Sequence, residues 1–280
     1  MFMRTFFDPK LAHNAYLVGC QITGKAIVID PSRTIERYIE AAQDEGLRIV
    51  GVAETHIHAD YISGCRAIAE ATGATLYLSA AGGRQWRYGY VHAYPHRLLN
   101  HGDQWQIGTL AFQALHTPGH TPEHLAFLLT DTAATTLPMG VFTGDFVFVG
   151  DVGRPDLLET TLGLQGAKRA AAHQLYQSVQ RFKQLPDFLQ IWPAHGSGSV
   201  CGREIAAVPS STVGYERQVN WAFQITDAET FVASVLEGQP EAPRYFAPTK
   251  RANQAGPSLV RPAQKPACLA VRQFVARQQA

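Results

Sequence analysis

A chain of 280 residues that is 46% hydrophobic and 17% charged can bury a substantial core, which excludes extensive disorder. Its formal net charge of +1, with no Lys/Arg-rich run, excludes the electrostatic footprint of a nucleic-acid or membrane-surface binder and leaves a small molecule as the expected partner. No apolar run reaches the ~18 residues of a membrane span, and the opening Met1–Asp8 turns acidic before a signal-like segment develops, so a cytoplasmic location is expected.

In chain order, Asn14–Val18 and Ala26–Asp30 read as a hairpin joined by the turn Thr23-Gly24-Lys25. Ile35, Tyr38, Ile39 and Ala42 fall at helical spacing between Thr34 and Glu45, with Gly46 where a C-terminal cap belongs. The strand Arg48–Glu54 runs into Thr55-His56-Ile57-His58-Ala59-Asp60, and Ile62–Thr72 reads as a helix. This polar cluster therefore sits on a strand-to-helix loop. Further strands are expected at Ala74–Leu78, Trp105–Ile107, Leu110–Leu115, Leu125–Leu129, Val141–Phe142 and Phe188–Trp192, with a helix over Gly166–Leu185. Two sheets packed together and covered by helices, an α/β fold of four layers, follow from that order. After about residue 240 the composition thins into Pro, Gln, Lys and Arg, which predicts a domain over 1–250 and a linker and tail over 251–280.

The chemistry lies at strand ends. His56, His58 and Asp60 alternate on one loop, and imidazole with carboxylate suits zinc or ferrous iron about equally well. Alone, this pattern also fits a solvated polar loop. Pro118-Gly119 makes a tight turn that can aim His120 inward, Thr143-Gly144-Asp145 ends a strand in a carboxylate, and Pro193-Ala194-His195-Gly196 repeats the arrangement. Four separate strand ends finishing in metal-type ligands make coincidence a poor account. The cysteines Cys20, Cys65, Cys201 and Cys268 form no C-x-x-C pair, against both a disulfide framework and a zinc ribbon.

These motifs, in this order, resemble the metallo-β-lactamase superfamily over about residues 5–240, and the implied fold is its αββα sandwich. Within it the runs Phe142–Leu158, Trp192–Gly202, Phe6–Asp8 and Gly214–Phe223 are similar to bacterial persulfide dioxygenases, many of which are fused to rhodanese domains; glyoxalase II is a relative. The resemblance implies one Fe(II) per chain held by His56, His120 and Asp145. It also implies oxidation of a low-molecular-weight thiol persulfide by O2 to sulfite and the free thiol. Two histidines and a carboxylate on one face leave coordination positions open, as non-haem ferrous oxygenases require. A zinc-dependent thioester hydrolase like glyoxalase II is the alternative, and a non-catalytic sulfur-sensing module is another.

One departure is informative. The superfamily's last histidine of H-x-H-x-D-H is Tyr61 here, which disfavours a second metal, since a second site would rest on Asp60, His195 and a bridging Asp145. His58, Asp60, Tyr61 and His195 are accordingly expected to shape the surroundings of one metal. Cys201 is expected at the mouth of the site as a thiol that handles sulfane sulfur, reactive if its pKa is lowered, with plain packing as the other reading. Arg154 is a candidate for binding a substrate carboxylate, against an ion pair with Asp151 or Asp156. His116 and His124 flank the ligand turn and are candidates for tuning it, against a solvent-facing or satisfied histidine at each. His92, His96 and His101 are expected on a long polar connection, and Trp86, Tyr88, Tyr90 and Tyr94 in an aromatic insertion whose simplest role is packing. Cys268–Arg272 is similar to the start of a rhodanese domain, so a rhodanese in cis or trans is an expected partner, and a homodimer or higher homo-oligomer the expected assembly.

Overall fold

A computed structural model describes residues 1–157, 159 and 166–259; the expectations for Cys268 and the tail lie outside the described residues. The hairpin of His13–Cys20 (β2) and Lys25–Ile29 (β3) forms as expected, with Gly24 at φ +63 in its turn. Ala15–Val18 in β2 and Ala26–Ile29 in β3 are apolar without interruption because both faces of the strands are covered there. Ala15, Leu17, Ala26 and Val28 enter one core, whereas their neighbours Tyr16, Val18, Ile27 and Ile29 enter another. This period of two assigns the layers.

The first core lies between a six-stranded sheet and the helices Glu36–Asp44 and Cys65–Thr72. That sheet runs Phe2–Asp8 (β1), β2, β3, Arg48–Ala53 (β4), Thr75–Ser79 (β5) and His96–Leu99 (β6), antiparallel up to β3 and parallel from β3 to β6. The second core, with Trp105, Phe112, Phe127, Phe142 and Trp192, is shared with a second six-stranded sheet. Its order is Ser211–Thr212 (β12), Gln190–Pro193 (β11), Gly140–Gly144 (β10), Leu125–Asp131 (β9), Leu110–His116 (β8) and Gln104–Ile107 (β7). A third core joins the outer face of this sheet to the helices Ala167–Phe182 and Ala228–Leu236, through Leu128, Val141, Ile191, Leu175 and Val232. The expected four-layer α/β sandwich is therefore present.

Three strands fall outside the expected set. β1 is a partly exposed edge strand, β12 has two residues, and β6 occupies the stretch expected to be a polar connection, though His92, His96 and His101 are indeed at the surface. The helix expected from Ile62 starts at Cys65, because Ile62–Gly64 still belongs to the loop and Gly64 packs against the Ser32 carbonyl. The boundary expected at 250 falls inside the helix Phe246–Ala255, which is docked through buried Phe246, Lys250 and Asn253. The aromatic insertion packs, with Trp86, Tyr88 and Tyr90 buried. No helix among the described residues is long and apolar enough to cross a membrane.

Candidate metal centre

Strand ends from both sheets meet at one edge of the sandwich. β4 delivers His56, His58 and Asp60, β8 leads to His120, β10 to Asp145, and β11 to His195. The sheets are stitched there: the Asn14 amide donates to the Ala194 carbonyl at 2.7 Å and the Gly196 amide to the Ala12 carbonyl at 2.8 Å. Two glycines permit the approach. Gly144 is left-handed, φ +53, and a Cβ on it would meet the Thr55 hydroxyl at 2.5 Å and His124 Nε2 at 2.6 Å; one on Gly153 would sit 1.8 Å from the Asp145 carbonyl oxygen.

His56, His120 and Asp145 are all buried, and their ligand atoms lie within 4.8 Å of one another. Asp145 Oδ2 is 3.5 Å from His120 Nε2 and 3.8 Å from His56 Nε2. It has no hydrogen-bond partner, which for a buried carboxylate oxygen demands an explanation. The other ring nitrogens are committed. His56 Nδ1 lies 3.0 Å from the Thr55 hydroxyl, which itself donates to Asp30 Oδ2 at 2.9 Å, and His120 Nδ1 lies 3.0 Å from the Arg154 carbonyl. Both Nδ1 atoms must therefore carry the proton and donate, leaving both Nε2 lone pairs facing the bare carboxylate oxygen. Burial holds His56 well below the usual histidine value and lowers His120, so both rings are neutral. Burial opposes the Asp145 charge, but His195, 2.6 Å from Oδ1, outweighs it and holds the carboxyl well below its usual range. Neutral imidazoles and an anionic carboxylate converging on one point are a donor set that fits one divalent cation.

Beside it lies a second buried group, Asp60, His195 and Cys201. His195 bridges two carboxylates, Nδ1 to Asp145 Oδ1 at 2.6 Å and Nε2 to Asp60 Oδ2 at 2.9 Å. Burial disfavours its charge, yet Asp145 and Asp60 raise its pKa to about 10, so both nitrogens act as donors. His58 is similar: burial acts against it, but Asp30, 3.0 Å from Nε2, raises it to about 9. The Tyr61 hydroxyl donates to the Asp30 carbonyl at 3.2 Å. His58, Tyr61 and His195 thus surround the ligand triangle and are engaged in hydrogen bonds of their own.

Two expectations are corrected. Arg154 is 1% exposed and its guanidinium is spent on Asp156, bidentate at 2.8 and 2.7 Å, and on the Val200 and Pro240 carbonyls. It forms the ion pair rather than offering a substrate clamp, and reaches the site only through the carbonyl that orients His120. Cys201 does lie at the site, but it is 2% exposed and packed with Phe148 and Ile205. Burial, with Asp145 and Asp60 nearby, pushes its thiol well above the usual cysteine range, so it is a protonated thiol and not a low-pKa nucleophile.

Sequence reasoning missed the roles of Asp30 and His13, and gave His124 only as a flank that could tune the ligand turn. Asp30, at φ +50 after β3, accepts from the Thr55 amide, the Thr55 hydroxyl and His58. His124 Nε2 accepts the Asp145 amide at 3.1 Å, its Nδ1 lies 2.8 Å from the Thr117 hydroxyl, and its ring stacks on His56. His13 is fully buried with neither nitrogen partnered, its ring centroid 4.2 Å from Tyr61 and 5.3 Å from His195. The detectable signal was that Asp30 ends an apolar strand just as Asp145 does.

Comparison with known proteins agrees with this geometry. The model of the metallo-β-lactamase superfamily matches residues 8–195. A persulfide dioxygenase ETHE1, mitochondrial, from Bos taurus is 29% identical over 223 residues, 78% of this chain and 74% of that protein. A hydroxyacylglutathione hydrolase from Rhodospirillum rubrum is 31% identical over 182 residues, 64% of this chain and 60% of that protein. A crystal structure of a metallo-beta-lactamase from Staphylococcus aureus superposes with a TM-score of 0.87 at 44% identity, covering 93% of this chain and 74% of that one. With its strand-end ligands, its two sheets and a family match spanning most of the described residues, this chain belongs to the metallo-β-lactamase superfamily.

Proposed function

We propose that this chain is an iron(II)-dependent persulfide dioxygenase that converts a low-molecular-weight thiol persulfide, O2 and water to sulfite and the free thiol. The observation that carries the reading is the three-ligand set of two imidazoles and one carboxylate around the unpartnered Asp145 oxygen, while Tyr61 and His58 are tied to Asp30. That set leaves neighbouring coordination positions free for a sulfur donor and dioxygen. The similarity to ETHE1 supports it. Iron, when bound, would supply the one-electron chemistry that lets O2 react with a sulfur substrate.

The residues of this chain supply position and charge. Thr55 and the Arg154 carbonyl fix the two imidazoles, and His124 fixes the backbone of Asp145. His195, held cationic between Asp145 and Asp60, keeps protons at both ring nitrogens beside the ligand triangle. Protonated Cys201 lines the Asp60 side as a neutral, polarisable wall for the sulfane sulfur.

The second reading is a zinc-dependent thioester hydrolase with two metals. The Asp60, His195 and Cys201 group favours it, as does the likeness to a hydroxyacylglutathione hydrolase. One experiment separates the two: oxygen uptake by anaerobically iron-loaded protein given glutathione persulfide or coenzyme A persulfide, with sulfite and metal content measured on the same sample. Uptake matched by sulfite, with one iron per chain, is the expected result. Thioester hydrolysis without oxygen uptake, with two zinc ions bound, overturns it.

A further inference from the structure

The loop from Thr55 to Ser63 carries His56 and has no strand partner along its middle, so its backbone groups must be satisfied from elsewhere. Asn253, in the helix Phe246–Ala255 almost two hundred residues away, satisfies three of them. Its Nδ2 donates to the His58 and Tyr61 carbonyls, each at 2.8 Å, and its Oδ1 accepts the Ser63 amide at 3.0 Å. Asn253 is 1% exposed, and this one planar amide uses both of its donors and an acceptor on a single loop.

One turn earlier in the same helix, Lys250 is also buried, its ammonium 3.2 Å from the Trp86 ring centroid. Glu123, which is fully buried, accepts the Ile57 amide on Oε1 at 2.9 Å. The helix thus reaches the loop directly at His58, Tyr61 and Ser63, while Glu123 holds it at Ile57. Opposite these contacts, Asp30 holds the loop by Thr55, the His58 ring and the Tyr61 hydroxyl. His56 lies between the two sets of restraints.

We infer that Asn253 is a positioning residue for the metal centre: it sets the path of the loop backbone and so the point to which His56 Nε2 is delivered. The inference rests on the metal-centre reading of His56, His120 and Asp145. The helix has another set of bonds that does not involve the loop, which provides a control. Gln254 Nε2 donates to the Gln85 carbonyl at 2.6 Å, and the Gly89 amide donates to the Gln254 carbonyl at 2.8 Å, tying the helix to the aromatic insertion.

The test titrates the metal-free full chain with cobalt(II) as the probe, by competition with a chromophoric chelator, and records the cobalt absorption spectrum and the thermal midpoint. Asn253→Ala is expected to bind cobalt about tenfold or more weakly, with an altered spectrum, as loss of a group that orients a metal ligand commonly does. Gln254→Ala is expected to lower the midpoint and leave affinity and spectrum as in the wild type. Asn253→Ala with wild-type affinity and spectrum, whatever its midpoint, overturns the inference; should that variant not fold, Asn253→Ser is read by the same criteria. Wild-type protein that takes up no cobalt overturns the metal-centre reading itself, and the positioning role with it.

Discussion

Gly153→Ala probes the centre without touching a ligand side chain. The added methyl would lie 1.8 Å from the Asp145 carbonyl oxygen and 3.1 Å from His120 Cβ, where ordinary contact begins at 3.4 Å. The carbonyl is backbone, so no rotamer change relieves the clash. The turn that brings residue 153 back to residue 146, closed by the bond from the Gly153 amide to the Phe146 carbonyl at 3.1 Å, must instead shift by more than the precision a metal site tolerates. Overpacking of this kind costs about 1–3 kcal/mol of stability, and displacing Asp145 from His120 should lower metal affinity by ~10–100-fold. Gly150→Ala in the same turn is the contrast: Gly150 has φ +77 but a Cβ there meets nothing within 4 Å, so only backbone strain of about 1–2 kcal/mol is expected and affinity should hold. The assay is chelator-competition titration of both variants beside thermal unfolding of the metal-free proteins. Equal affinity for Gly153→Ala and the wild type would refute the claim that the close packing of residue 153 fixes Asp145.

Asp30→Ala leaves the Thr55 amide, the Thr55 hydroxyl and His58 without their shared acceptor. At ~1–3 kcal/mol per orphaned buried donor, a total loss of at least about 3 kcal/mol is expected in denaturant unfolding, and a change below ~1 kcal/mol would count against the network. His120→Ala should abolish metal retention and oxygen uptake together, since it removes one of three ligands; full turnover would sink the site. Cys201→Ser should leave metal content unchanged and slow sulfite formation by less than ~10-fold, because the thiol is protonated and acts by contact; complete loss of turnover would make it a covalent participant. Glu54 is fully buried, and burial raises its carboxyl from 4.5 to about 7. The folded chain therefore holds this proton more tightly than the unfolded chain, so stability falls as pH rises between 4.5 and about 7, with the full penalty above that. Glu54→Gln, always neutral, should raise the thermal midpoint of the metal-free protein near pH ~8, with the gain shrinking towards pH ~5; an equal gain at both would refute the assignment.

The layers were legible because burial on both faces writes long apolar runs, as in Ala15–Val18 and Ala26–Ile29, and because ligands end strands, as His56, Asp145 and His195 do. β1 and β6 were not legible, since an edge strand buries only part of one face and Phe2–Asp8 alternates too weakly to register. Asp30 and Asn253 were missed, and the bonds His124 makes beside the ligand turn were not foreseen, for a different reason. Each acts by holding a backbone or a ring that another element supplies, and the partner of such a group is a property of the folded chain. Arg154 fails in the opposite sense: its place after the metal strand is where a substrate clamp would stand, but Asp156 two residues on satisfies the guanidinium first.

How many metals the centre takes turns on how His195 divides its two nitrogens. With Nδ1 on Asp145 and Nε2 on Asp60, it neutralises two carboxylates that would otherwise repel each other in a buried space, the role a second cation plays in a binuclear site. A second metal at Asp60, His195 and Cys201 would have to displace that proton and also ionise a thiol whose pKa burial has raised. Tyr61 contributes nothing to such a site, since its hydroxyl is bonded to the Asp30 carbonyl on the opposite side. Protons already do the electrostatic work there, whereas at the first site Asp145 Oδ2 faces two neutral imidazoles with no proton between them. That asymmetry supports the single-metal reading proposed above. It predicts that metal uptake saturates at one equivalent near neutral pH and that entry of a second equivalent, which must displace protons from His195 and Cys201, becomes easier as the pH rises. Uptake of two equivalents at neutral pH, counted by metal analysis after gel filtration, would transfer the argument to the hydrolase.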